Sequence, residues 1–184
     1  MDTPWPAVIK MRFMKSLRFL ACGLLAGRCI ITAYGDDKVS GTFTVKGKPT
    51  ELHHVYAFWK PRLMDEARID LYVLLSDEAI LPDALPKNDD GLSKIAALVR
   101  ENRIHAIELH FDVDGDRLFE GEQGAVYHSA IAMARQGETG MIHYQPDKSG
   151  PGEKAGKLFL DREMAEQLGW NVTAAFEVSV PAKP

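Results

Sequence analysis

GTFTVKGKPTELHHVYAFW, residues 41–59, indicates the fold class, because apolar and polar residues alternate on either side of a Lys46-Gly47 pair. Alternation with a period of two is typical of a β-strand that has one buried face. Glycine readily adopts the positive φ that a two-residue hairpin turn requires. The stretch therefore predicts two strands joined at Lys46-Gly47.

Three later stretches extend the strand pattern. ARIDLYVLLS (67–76) is apolar on both faces, which predicts a central strand covered on both sides. IHAIELHFDV (104–113) and NVTAAFEVSV (171–180) alternate, which predicts strands with one face on a core and the other in water. On this interpretation Glu108 and His110 are solvent-facing.

Two segments have helical rather than alternating spacing. The segment GLSKIAALVREN (91–102) predicts one helix. The segment DREMAEQLGW (161–170) predicts one or two helical turns between an Asp161 cap and Gly169. Several short strands, glycine-containing turns and only two short helices favour a mainly β protein. The predicted architecture is an antiparallel β-sandwich or a barrel-like fold.

Length and charge limit the domain count and the class of partner. A chain of 184 residues, 46% hydrophobic, can bury one full core, which predicts a single β-rich domain over residues 36–184. The formal net charge of -4 gives no overall positive field. Nucleic-acid binding is therefore not expected. The sequence does not indicate an oligomeric state.

Residues 1–35 have the pattern of a secretory leader. Three basic residues, Arg12, Lys15 and Arg18, precede an apolar run over residues 19–27. A basic start, a short apolar run and small residues are typical of a signal peptide, and the run is shorter than the roughly 20 residues of a transmembrane helix. We expect export to the periplasm or the medium, with no transmembrane helix in the mature chain.

Two features of the leader leave alternatives open. Met11 or Met14 is an alternative start, because the ten residues before Met11 lack leader character. FLAC, ending at Cys22, is the nearest match to a lipid-anchoring motif, but it has almost no apolar run ahead of it. The sequence therefore disfavours a lipid anchor at Cys22.

FDVDGDRLFEGE, residues 111–122, raises the question of a calcium loop. An EF-hand loop needs glycine at position six and glutamate at position twelve, whereas this chain has Arg117 and Gln123 there. Asp-Gly between alternating strands is instead a strong hairpin signal. We expect a two-residue turn. The alternative is a weak divalent cation site built from Asp112, Asp116 and Glu120.

The six histidines all fall on predicted strands, and none forms a local H-x-H or H-E-x-x-H pair. A metal site would have to gather side chains from separate strands. The candidates for such a site are His54, His110 and His128, with Asp112 and Asp116. A periplasmic metal-binding protein that uses these residues is therefore an alternative hypothesis. Apart from such a metal, no cofactor is expected.

Catalytic residues are not identifiable, because the serines lack a G-x-S-x-G or S-x-x-K frame. A hydrolase whose site is assembled only by the fold is a further alternative. Tyr56 and Trp59 are candidates for a ligand surface, although Tyr56 also fits a core position. The leading hypothesis is an exported, non-catalytic binding module whose partner is an envelope protein or a carbohydrate.

Overall fold

The computed structural model describes residues 37–62, 65–112, 115, 117–118, 124–131, 141–147, 150 and 152–184. These residues belong to one compact unit. The predicted leader, with Cys22, lies outside the described residues and stays a prediction. The strands and helices are β1 (Lys38–Val45), β2 (Lys48–Glu51), β3 (His54–Arg62), β4 (Asp65–Ser76), α1 (Asp89–Arg100), β5 (Ala106–His110), β6 (Gly124–Tyr127), β7 (His143–Pro146), β8 (Glu153–Phe159), α2 (Arg162–Leu168) and β9 (Trp170–Ser179).

The strands form two antiparallel sheets. One has the order β2-β1-β9-β8-β7 and the other the order β3-β4-β5-β6. Their inner faces share one hydrophobic core, to which both sheets contribute fully buried residues such as Phe43, Val73 and Val172. The mainly β, sandwich-like architecture is therefore confirmed. No helix in the described part of the chain is both long and apolar enough to cross a membrane.

The predicted hairpin turn is present, but the strand after it is divided. Lys46 and Gly47 have φ of 49° and 77°, and Val45 faces Lys48 across the turn. The chain then leaves the first sheet at Leu52 and enters the second sheet at His54. The prediction of one continuous second strand is wrong, because alternation cannot show that its two halves hydrogen-bond to different neighbours.

Strand β4 is central and covered on both sides, as predicted. Its inner residues, including Leu71 and Leu75, lie in the core between the sheets. Its outer residues Tyr72 and Leu74 pack in a second cluster with Ile95 of α1. Helix α1 and the loop before it thus cover one end of the outer face of the four-stranded sheet.

Both predicted helices form, and their ends have local causes. The side chain of Asn88 accepts the N–H of Gly91 at 2.9 Å and caps α1. Helix α2 begins after Asp161 and ends at Gly169, whose φ of 73° is the left-handed conformation that ends many helices. Met164 on α2 packs against the edge of the main core.

The outer face of β5 differs from the prediction. Glu108 and His110 were expected in water, but both are 2% exposed. The prediction is wrong because alternation only separates the two faces of a strand, and here both faces are covered. A buried charge is costly unless it is paired, so these two residues require partners.

Candidate functional site

A shallow groove of about 320 Å³ lies on the outer face of the five-stranded sheet. Its floor follows from the register, which places Gln145, Lys157, Ala175 and Ser40 in one row across four strands. Side chains at Ala175 and Ser40 are short, whereas Gln145 and Lys157 are long. The short side chains in the centre of the face leave the depression.

The next row of the same face supplies an aromatic wall. His143, Phe159 and Thr173 lie side by side on β7, β8 and β9. The rings of His143 and Phe159 stack with centroids 4.9 Å apart, and Asp161 Oδ2 lies 2.8 Å from His143 Nε2. Phe159 is 40% exposed. The wall is therefore oriented by its neighbours and open to solvent.

Gly41 makes the floor of the groove possible. Its φ is 142°, and a Cβ at this position would lie 2.2 Å from the carbonyl oxygen of Thr173. Only glycine allows β1 to lie this close to β9 here. A larger residue at this position would therefore push β1 away from β9 beside the groove.

The lining of the groove is mainly apolar and includes a few polar groups and one cation, Lys157. Hydroxyl groups of Ser40 and Thr173 and the amide of Gln145 line it beside the Phe159 ring. Lys157 is exposed and belongs to none of the ion pairs of the described residues. Such a surface can stack against a flat apolar face, hydrogen-bond hydroxyl groups and attract an anion.

The two aromatic residues predicted for ligand binding lie in the other sheet. The hydroxyl of Tyr56 accepts the N–H of Ile80 at 2.8 Å. The indole N–H of Trp59 donates to the carbonyl oxygen of Pro181 at 2.7 Å, and the Lys183 ammonium lies 5.1 Å from a Trp59 ring centroid. Neither residue lines the groove, and their role in binding a ligand stays a prediction.

His110, a predicted metal ligand, belongs to a buried ionic cluster that sequence reasoning missed. Its Nε2 lies 2.7 Å from Asp70 Oδ2, and Arg62 Nε donates to the same oxygen at 2.7 Å. Tyr72 stacks on the His110 ring with centroids 4.4 Å apart, and Asp70 is fully buried. These contacts join β3, β4 and β5 on the outer face of the sheet.

Burial and contacts within this cluster shift the pKa values of Asp70 and Tyr127. Burial alone would raise the pKa of Asp70, but hydrogen bonds from Arg62 and His110 outweigh it and lower that pKa. Beside it, Lys60 Nζ donates to Glu108 Oε1 at 2.8 Å. Burial and the charge of Glu108 raise the pKa of Tyr127. The cluster is thus a set of paired charges that connects β3, β4 and β5.

The aspartate loop reverses the chain as predicted, but the turn is wider than two residues. Phe111 faces Leu118, and the N–H of Asp112 donates to the carbonyl oxygen of Arg117 at 2.8 Å. Arg117 Nε lies 3.5 Å from Asp112 Oδ2, and the buried Lys154 ammonium donates to the carbonyl oxygen of Gly115. Two cations therefore lie at this loop.

Only some of the predicted metal and cation ligands lie among the described residues. Asp116 and Glu120 lie outside the described residues, so the cation site stays a prediction. Within the described ranges, no three His, Cys, Asp or Glu side chains are close enough to hold a metal ion. His54 lies at the start of β3 opposite Ser76, and the structure brings His128 beside His105 rather than His110.

The His105–His128 pair was not predicted, yet the register explains it. Ala106 faces Tyr127 across β5 and β6, so the residues just outside this pair are neighbours. Their ring centroids are 4.3 Å apart. Burial, followed by the nearby charges of His105 and Lys46, lowers the pKa of His128 to about 4, although Asp77 opposes this. His128 is therefore uncharged at neutral pH.

No family model, curated protein or solved structure shows significant similarity to this chain.

Proposed function

We propose that the protein is an exported binding module and that its ligand is an acidic saccharide held in the groove of the five-stranded sheet. The observation that carries this proposal is the exposed Phe159 ring beside the Lys157 ammonium on an otherwise open sheet face. The leader pattern of residues 1–35 supports export.

A saccharide fits the groove better than a protein partner does. The aromatic face of Phe159 can stack on the C–H face of a sugar ring, while Ser40, Thr173 and Gln145 can hydrogen-bond its hydroxyl groups. Protein interfaces instead favour a larger buried apolar centre. The wall of this groove has one exposed large apolar side chain among the described residues.

The edges of the same sheet also disfavour a partner that binds by adding a strand. Both edge strands, β2 and β7, are four residues long. Each contains a proline, Pro49 or Pro146, which lacks the N–H that a new strand would need. The open face is therefore the better binding surface.

The charge of Lys157 selects for an acidic sugar. A carboxylate near an exposed ammonium gains a modest attraction, which corresponds to a preference of about two- to fivefold over a neutral sugar of the same shape. This preference should weaken with added salt, because both groups are solvent-accessible.

Calorimetric titration of the full chain with hexagalacturonate and with cellohexaose tests the proposal. We expect both to bind and the acidic one to bind more tightly. Phe159→Ala should weaken both by about tenfold, because the stacking surface is lost. Lys157→Gln should remove only the acidic preference.

Two control variants match these substitutions elsewhere on the surface. Leu81→Ala removes an exposed apolar side chain outside the groove, and Lys48→Gln removes an exposed cation from β2. Neither should change affinity. The saccharide proposal fails if neither oligosaccharide binds at millimolar concentration, or if Phe159→Ala binds as well as Leu81→Ala.

Export is tested separately by fractionation and N-terminal sequencing. We expect the chain outside the cytoplasm with a new N-terminus near residue 36. Recovery from the cytoplasm with residues 1–35 intact would contradict the export proposal without affecting the groove.

A further inference from the structure

One end of the four-stranded sheet collects three polar residues that lie far apart in the sequence. Asp77 follows β4, His105 precedes β5 and Ser129 lies two residues beyond β6. Because these three strands are antiparallel neighbours, the end of β4, the start of β5 and the end of β6 meet. The groove lies on the other sheet, so this cluster is a separate site.

Asp77 holds His105 in a fixed orientation. Its Oδ1 accepts the backbone N–H groups of Glu78 at 2.9 Å and His105 at 2.7 Å. Its Oδ2 lies 2.6 Å from the Nδ1 atom of the His105 ring. The carboxylate is therefore fixed by three contacts and directs the opposite ring nitrogen, Nε2, away from itself. This is the geometry by which a carboxylate orients a catalytic imidazole.

Asn102 connects the imidazole to a serine hydroxyl. His105 Nε2 lies 3.3 Å from Asn102 Oδ1, and the hydroxyl of Ser129 donates to the same oxygen. The imidazole and the hydroxyl thus contact the same amide oxygen. Ser129 and Asn102 are exposed, and the side chains of His105 and Asp77 are 14% and 15% exposed, so a small molecule can reach them.

His128 is the second histidine at this end of the sheet. It packs on the His105 ring, and its own Nδ1 accepts the N–H of Ala130 at 3.0 Å. Since burial and nearby charges lower the pKa of His128, its ring is uncharged at neutral pH and adds no positive charge to the cluster.

We propose that Asp77, His105 and Ser129 form a hydrolytic site for small acyl esters. Rotation of the Ser129 side chain from Asn102 to His105 Nε2 completes the arrangement. Ser129 Oγ then attacks the carbonyl carbon while its proton passes to Nε2, and Asp77 stabilises the resulting imidazolium.

The remaining steps use the same groups and one water molecule. The amide nitrogen of Asn102, once turned toward the reacting carbonyl, donates a hydrogen bond to the oxyanion. The bond to the alcohol oxygen breaks, and the proton on His105 passes to that alcohol. Water, deprotonated by His105, then attacks the acyl carbon. The bond from that carbon to Ser129 Oγ breaks, His105 returns the proton to Oγ, and a carboxylic acid leaves.

The test measures hydrolysis of p-nitrophenyl acetate by the full chain and labelling by a fluorophosphonate, with the labelled residue located by peptide mass spectrometry. We expect the label on Ser129. Ser129→Ala, at an exposed position, should abolish labelling and slow hydrolysis by at least about a hundredfold without changing the unfolding temperature. Ser93→Ala, which removes another exposed serine from α1, should leave both unchanged.

A second variant separates catalysis from folding. His105→Gln should slow labelling by about a hundredfold and remove the dependence of the rate on imidazole protonation, even in preparations that remain folded. The proposal is overturned if Ser129 is labelled no faster than Ser93, or if Ser129→Ala hydrolyses the ester at the rate of the unchanged chain.

Discussion

Replacing Asp70 with asparagine tests whether buried ion pairs hold β3, β4 and β5 together. Asp70 is fully buried, and its Oδ2 contacts Arg62 and His110 at 2.7 Å each. Asparagine has nearly the same size but no charge. Each charge-assisted hydrogen bond contributes about 1.5–3 kcal/mol, and relief of the buried charge offsets part of the loss. We expect the free energy of unfolding to fall by about 2–4 kcal/mol.

The assay is urea unfolding, and the matched control is Asp83→Asn. Asp83 also accepts a hydrogen bond from a cation, Lys94 at 2.9 Å, but its side chain is 67% exposed. We expect the control to leave the urea midpoint unchanged, because surface ion pairs contribute little. If Asp70→Asn shifts the midpoint no more than Asp83→Asn does, the buried cluster does not hold the strands together.

The same variant has a predicted pH dependence. The contacts lower the pKa of Asp70 in the folded state, so the unfolded chain binds a proton first as the pH falls. The stabilisation is therefore fully present above the unfolded pKa of about 3.9 and is lost below it. The difference between the unchanged chain and Asp70→Asn should shrink below about pH 4, and a constant difference down to pH 2 would contradict this sign.

Three further substitutions test other parts of the structure. Burial lowers the pKa of His128 to about 4, so the unfolded chain takes up this proton first as the pH falls. The free energy of unfolding should therefore fall by about 1–2 kcal/mol between pH 6.5 and 4, allowing for solvent screening. In urea unfolding, His128→Asn should make the free energy depend less on pH over this range. Gly41→Ala should lower the melting temperature more than Gly47→Ala does, because the new Cβ would meet backbone atoms at Gly41 but not at Gly47. Equal changes in melting temperature would refute this. Leu109→Ala, at a fully buried position, should cost about 2–5 kcal/mol in the same urea assay, and a cost below 1 kcal/mol would mean that the core is not packed there.

Local sequence signals predict the parts of the fold that local interactions determine. The Lys46-Gly47 turn and the end of α2 at Gly169 were predictable, because backbone conformation at a glycine depends on its own residue and immediate neighbours. The double coverage of β4 was also predictable from its apolar run. The change of sheet after Leu52 was not, because it depends on which distant strand each half pairs with.

The sites were harder to predict for the same reason. Lys157, Phe159 and Thr173 form the groove only because β8 pairs with β9. Tyr56 and Trp59 were chosen by residue type, and residue type does not indicate which sheet an aromatic ring occupies. Once the strand register is known, it shows which side chains lie side by side across the sheet and therefore which of them line the groove.

Chemical-shift mapping shows directly whether the groove of the five-stranded sheet binds the ligand. Amide resonances of the full chain would be recorded while hexagalacturonate is added. We expect the largest shifts at Lys157, Phe159 and Thr173, and we expect the Trp59 indole resonance not to move. Shifts centred on Trp59 and Tyr56, or no shifts at millimolar ligand, would contradict this expectation.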